Sequence, residues 1–106
     1  MSALPTYFVT EARLQEVTQS FTDRGIQVEC TRPKVLARSG KDFYREWKVG
    51  KDGAWVIFWD VTYFDRNDAT VTIGPAQGPA SKNLDNEIIA SLANAERACH
   101  EAGEIS

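Results

Sequence analysis

Apolar residues recur at helical spacing near both ends of the chain and at alternate positions between them. After Thr10, a residue type that caps helices, neither glycine nor proline occurs until Gly25, and the apolar residues lie three and four apart. This pattern predicts a helix over residues 11–24 that ends at Gly25. A second stripe at the same spacing contains Leu84, Ile88, Leu92, Ala95 and Cys99. It predicts another amphipathic helix, which stops near Gly103.

The segment that follows the first helix has the two-residue period of a half-buried strand. Ile26, Val28 and Cys30 alternate there with polar residues. Pro33 is expected to stop this strand or to introduce a bulge, because proline cannot donate to a ladder of hydrogen bonds. The register beyond Pro33 stays open.

Two turns predict a meander of three further strands. Lys51-Asp52-Gly53 has the form of a three-residue hairpin loop, which would place Gly50 opposite Ala54. Arg66-Asn67-Asp68 is expected to form the next turn. Both loops place the odd-numbered positions of all three strands on one face. The predicted core face carries Phe43, Trp47, Val49, Trp55, Ile57, Trp59, Val61, Tyr63, Val71 and Ile73.

These elements predict a single α+β domain over residues 1–106, in the order helix, antiparallel sheet of about four strands, helix. Both helices are needed on the same face of the sheet, because the apolar surface that includes all three tryptophans must be covered. The 106 residues, 42% of them hydrophobic, suffice for a core of this kind. A fold of this type is a weak guide to function, since unrelated activities share it.

The other face of the predicted sheet is amphipathic and has no element left to cover it. Aromatic side chains with a few polar anchors are typical of protein interfaces. In this register Tyr44 lies opposite Asp60, so its hydroxyl would donate a hydrogen bond to the carboxylate. The candidate partner-binding residues are Tyr44, Val56, Phe58, Asp60 and Phe64. The alternatives are ordinary strand composition and cover from the Pro/Gly-rich stretch 74–82.

Charge is distributed unevenly along the chain. The net charge is −3, yet residues 24–51 hold eight of the twelve Lys and Arg residues and only three acids. Cations interleaved with aromatic residues are typical of single-strand nucleic-acid binding. The alternative nucleic-acid-binding residues are Arg32, Lys34, Arg38, Lys41 and Lys48. The predicted register weakens this alternative, because it directs Phe43 and Trp47 to the core.

Signatures of catalysis and of metal binding are not recognised in the sequence. His100 is the only histidine, and Cys30 and Cys99 have no second cysteine at metal-ligand spacing. Asp60 could pair with another acid, but a two-carboxylate hydrolase needs a cleft that an open sheet face does not offer. We therefore expect no enzymatic activity, no metal and no cofactor.

Neither a leader sequence nor an apolar run of about 20 residues is recognised, so we expect a cytoplasmic protein without membrane contact. The expected function is non-catalytic protein binding through the uncovered sheet face or the exposed edge strand, with another protein or a second copy as the partner. A small inhibitor or modulator of the kind encoded by phages and mobile elements fits this description. The alternative is single-strand nucleic-acid binding through residues 32–51.

Overall fold

The computed structural model describes residues 4–36, 42–63 and 68–105. The strands of this α+β fold form one antiparallel sheet in the order β1-β5-β4-β3-β2. Along the chain the elements are β1 (Thr6–Thr10), α1 (Glu11–Asp23), β2 (Gln27–Leu36), β3 (Asp42–Lys51), β4 (Ala54–Tyr63), β5 (Asp68–Ile73) and α2 (Ser81–Glu101).

The sheet has five strands where the sequence predicts about four, because β1 was missed. Its five residues, Thr-Tyr-Phe-Val-Thr, are good strand formers but are too few to establish a period. β1 is an edge strand that pairs with β5, with Tyr7 opposite Val71 and Val9 opposite Ala69. Val9 is fully buried, so β1 extends the sheet and contributes to its core.

Both predicted helices are confirmed. The hydroxyl of Thr10 accepts a hydrogen bond from the backbone N–H of Arg13 at 3.1 Å, and α1 ends where Gly25 adopts a φ of 79°. The second helix ends before Gly103, which has a φ of 71°. The buried helical residues are Leu14, Val17 and Phe21 in α1 and Leu84, Ile88, Leu92 and Cys99 in α2.

Both helices pack on one face of the sheet, which we call the helix face. Their buried residues form a single hydrophobic cluster with residues of β1, β3, β4 and β5. The strands contribute odd-numbered positions of β1, β3 and β5 but even-numbered positions of β4. These buried strand residues are Val9, Val49, Ala54, Val56, Phe58, Ala69, Val71 and Ile73.

The face assignment of β4 was therefore wrong, and the cause is the length of the β3–β4 turn. Lys51 pairs with Ala54, so the loop has two residues. Asp52 and Gly53 both have positive φ, 54° and 83°, as a type I′ turn requires. A loop one residue shorter than predicted moves every side chain of β4 to the opposite face.

The register of the second hairpin also differs from the prediction by an odd number of residues. Asp60 pairs with Val71 and Thr62 with Ala69, whereas the predicted register placed Tyr63 opposite Val71. The connecting residues 64–67 lie outside the described residues. Because both registers change parity, β3 and β5 keep their predicted faces and only β4 is turned over.

Because the side chains of β4 lie on the faces opposite to those predicted, two sets of predictions are wrong. Trp47 lies on the helix face, but Trp55 and Trp59 lie on the opposite face, so the three tryptophans do not share one side. Three of the residues assigned to the uncovered face, Val56, Phe58 and Asp60, are instead fully buried under the helices.

The strand around Pro33 has the predicted irregularity. β2 lies at the edge of the sheet, and its register with β3 shifts between Cys30 and Arg32 and again between Arg32 and Val35. Pro33 therefore introduces a bulge and does not stop the strand. An edge position accommodates a residue without a backbone donor.

Candidate functional site

The sheet face opposite the helices, which we call the open face, is the candidate site. None of its side chains belongs to the buried cluster, and Phe8 and Trp55 are 47% and 38% exposed. The strand registers place on it Thr6, Phe8, Gln27, Glu29, Arg32, Val35, Asp42, Tyr44, Glu46, Lys48, Gly50, Trp55, Ile57, Trp59, Val61, Thr70 and Thr72.

Four successive rows of directly paired residues, about 6.7 Å apart, run across the open face from the β3–β4 turn, and Asp42 lies beyond the fourth row. The first row, at the β3–β4 turn, is Gln27, Gly50 and Trp55. The second row is Glu29, Lys48 and Ile57. The third row is Arg32, Glu46, Trp59, Thr72 and Thr6. The fourth row is Val35, Tyr44, Val61, Thr70 and Phe8.

Trp59 is held in the middle of the open face by contacts with Glu46 and Gly74. Its indole N–H donates to Oε2 of Glu46 at 2.8 Å, and a β-carbon added at Gly74 would lie 3.2 Å from Cη2 of the ring. The hydroxyl of Thr31 donates to the other oxygen of Glu46 at 3.0 Å. These two hydrogen bonds, that from Trp59 first, hold the pKa of Glu46 below its ordinary 4.5.

Cations lie beside the aromatic rings on the same face. The Lys48 ammonium is 5.2 Å from the centre of the Trp55 ring, and Glu29 lies directly across the strands from Lys48. Arg32 donates to the Tyr44 hydroxyl at 3.3 Å and lies 6.0 Å from the centre of that ring. Each cation thus contacts a ring and has an acid nearby.

A concavity of about 450 Å³ opens at the turn end of the open face. Gly50 has no side chain, and the residues on either side of it, Gln27 and Trp55, form the walls. Its lining consists of Gly25, Gln27, Lys48, Gly50, Lys51, Asp52, Gly53, Ala54 and Trp55.

Asp60 belongs to the helix face, where its charge is compensated. Its side chain is 1% exposed, and both carboxylate oxygens accept from Nε of Arg45, at 3.1 and 3.2 Å. The Trp47 indole donates to Oδ2 at 2.6 Å. The predicted hydrogen bond from Tyr44 is wrong, because Tyr44 and Asp60 lie on opposite faces. A buried, fully paired carboxylate of this kind is a structural group.

The three nucleic-acid candidates that the structure describes do not converge. Arg32 and Lys48 lie on the open face, whereas Lys34 binds Glu11 at the start of α1, at 2.8 Å. That hydrogen bond is the main reason why the pKa of Glu11 is lowered. Arg38 and Lys41, like the partner-binding candidate Phe64, lie outside the described residues. Tyr44 lies on the open face as predicted; whether it binds a partner stays a prediction.

Within the described ranges, no three His, Cys, Asp or Glu side chains are grouped to hold a metal ion. His100 is exposed on α2. The helices of this part of the chain are not apolar and long enough to cross a bilayer.

Comparisons with known proteins give no match to a family model, a curated protein or a solved structure. The residues that sequence reasoning missed are those of β4, since Trp55, Ile57, Trp59 and Val61 were assigned to the core. One local signal favoured the observed register: Asp-Gly at positions 52 and 53 is a preferred two-residue type I′ turn.

Proposed function

We propose that this chain is a non-catalytic protein-binding module and that the open face is its contact surface. One observation carries the proposal: the two-residue turn directs the four large apolar side chains at odd-numbered positions of β4 to the side of the sheet away from both helices. These side chains are Trp55, Ile57, Trp59 and Val61. A contiguous apolar surface at this position is typical of an interaction site.

The chemical layout of the open face supports the same conclusion. An apolar strand lies between threonines of β5 and the charged side chains of β3, so aromatic anchors are bordered by polar groups. Trp59 is fixed in place by Glu46 and Gly74. A ring that is already ordered loses little side-chain entropy when a partner binds.

Charge favours a protein partner over nucleic acid. On the open face, Arg32 and Lys48 are matched by Glu29 and Glu46, so these four side chains carry no net charge. Phosphate contacts require an excess of cations, because counterion release supplies much of the affinity. A small inhibitor or modulator that covers a partner's surface is the kind of protein this layout favours.

A photo-cross-linking comparison tests the proposal. A photoreactive residue replaces Thr70, on the open face, or Asn86, which is exposed on α2. In extract of the native host, we expect the Thr70 probe to give a discrete cross-linked protein that disappears on Trp55→Ala, and the Asn86 probe to give none.

Two results would reject the proposal. One is specific cross-linking from Asn86 alone, which would move the contact surface to the helices. The other is tight, salt-sensitive binding of labelled single-stranded DNA or RNA that is lost on Arg32→Glu and Lys48→Glu, which would favour nucleic acid.

A further inference from the structure

We infer that the partner of the open face is a second copy of this chain, packed face to face. The two copies are related by a two-fold axis that runs across the strands, between the second and third rows. This inference rests on the proposed function, because it names the partner of the same surface. It is based on how charge and shape are distributed over the four rows.

The direction of the two-fold axis determines which strands of the two copies face each other. A two-fold axis across the strands places each strand against the same strand of the second copy, in the opposite direction. The apolar side chains of β4 then pack on those of β4, and the threonines of β5 face each other. An axis along the strands would instead place the charges of β3 over the threonines of β5. Two sheets stacked in this way keep their strands within about 30° of alignment.

The charges of the second and third rows are complementary under this rotation. Glu29 and Lys48 lie side by side in the second row, and Arg32 and Glu46 lie side by side in the third. Rotation about the axis brings the second row of one copy onto the third row of the other. Glu29 then faces Arg32 of the second copy, and Lys48 faces Glu46. Every charge in this group of four meets its opposite.

The outer rows are complementary in shape. The concavity of about 450 Å³ at Gly50 lies in the first row, and the large side chain of Tyr44 lies in the fourth. The same rotation brings the fourth row onto the first. The Tyr44 ring therefore lies over the concavity of the other copy, next to its Trp55, where two aromatic rings can pack against each other.

Sedimentation equilibrium of the purified chain and of charge variants tests the inference. We expect a dimer for the wild type and an association at least about tenfold weaker for both Glu29→Lys and Arg32→Glu, since each places like charges opposite one another. An equimolar mixture of the two variants should form a heterodimer of wild-type affinity, because each introduced charge then faces an opposite one. Glu101→Lys, on the exposed end of α2, is the matched control and should leave the dimer unchanged.

Two variants of Tyr44 test the fit of its ring into the concavity of the other copy. Tyr44→Ala removes the ring that occupies the concavity and should weaken the dimer, whereas Tyr44→Phe keeps the ring and should retain it. Circular dichroism melts of both variants establish that the fold persists. Equal dimerisation of Tyr44→Ala and wild type would overturn the placement of the axis.

Other outcomes separate this inference from the function on which it rests. A mixture of Glu29→Lys and Arg32→Glu that stays dissociated would overturn the two-fold arrangement. A wild type that is monomeric at about 1 mM would overturn the second copy as partner. If the Thr70 probe still cross-links another protein, only the inference fails; if it cross-links none, the proposed function fails with it.

Discussion

The two faces of the sheet each carry a tryptophan that donates to a carboxylate, and the two pairs differ in their surroundings. On the helix face, Trp47 donates to Asp60 at 2.6 Å, and the carboxylate also binds Arg45. On the open face, Trp59 donates to Glu46 at 2.8 Å. Asp60 is fully buried, whereas Glu46 is only partly buried. The same pair of groups thus stabilises the core on one side and orients a surface ring on the other.

Desolvation explains why the burial of each carboxylate affects stability more than its hydrogen bond from tryptophan does. A carboxylate removed from water requires full compensation, and Asp60 has it from an ion pair and an indole N–H. Removing one partner from such a group leaves an uncompensated charge, which costs more than the pair itself contributes. Glu46 retains access to water, so changes around it should alter the orientation of Trp59 more than the stability of the fold.

The largest expected difference between the faces comes from placing a new carboxylate on each. Phe58→Glu buries an unpaired charge beneath both helices and should destabilise the fold by more than about 4 kcal/mol. Ile57→Glu, the adjacent residue on the open face, should cost about 1 kcal/mol or less. Urea unfolding of both variants measures the contrast.

Wild-type stability in Phe58→Glu would contradict the observed register, because the register predicted from the sequence placed Phe58 on the uncovered face. The Ile57→Glu variant is the matched control for introducing a charge in β4. Unfolding of both variants would mean that the open face is covered.

The second expected difference concerns the carboxylates themselves. Asp60→Asn leaves Arg45 without its anion and turns an amide donor toward other donors, so it should cost about 3 kcal/mol. Glu46→Gln keeps an acceptor for the Trp59 indole in a partly solvated position, and it should cost less. Thermal melts of the two variants, measured in parallel in dilute solution, provide the comparison. Equal losses would show that burial does not distinguish the two pairs.

The elements that were predicted correctly are those that local sequence signals define. Local signals define the helices: Thr10 and Gly25 bound the first, and apolar spacing defines the second. β4 is different, because it is apolar at both odd and even positions, so hydrophobic pattern alone does not choose its face. Turn length makes that choice, and it differs from the predicted length by a single residue.

The sequence therefore predicted an uncovered amphipathic sheet face but assigned the wrong residues of β4 to it. An uncovered amphipathic sheet face with aromatic side chains was expected, and Tyr44 lies on it. The predicted turn lengths, and not Asp60 itself, set the face of β4 and placed this acid on the uncovered side. Its partner Arg45 could be recognised only once the correct register had placed the two residues opposite each other.

The smallest expected effect is the dependence on pH of the stability that Glu46 contributes. It sharpens the comparison of the Trp59–Glu46 pair with the Trp47–Asp60 pair. The pKa of Glu46 in the folded chain lies below the ordinary 4.5, first because of the Trp59 indole and then because of Thr31. A lowered folded pKa means that the charged form contributes stability that is fully present above 4.5. That contribution is lost as the pH falls through the lower, folded value. The difference in unfolding free energy between wild type and Glu46→Gln should therefore be constant near neutral pH and decrease below 4.5.

Other carboxylates with lowered pKa values, those of Glu11 and Glu104, titrate in both proteins, so they cancel in this difference. The control is the same comparison in a Trp59→Phe background, which lacks the indole donor. There the acid-dependent part of the difference should shrink, because only Thr31 still donates to the carboxylate. An unchanged acid dependence would assign the lowered pKa to Thr31 and remove the role of Glu46 in holding Trp59 in place on the open face.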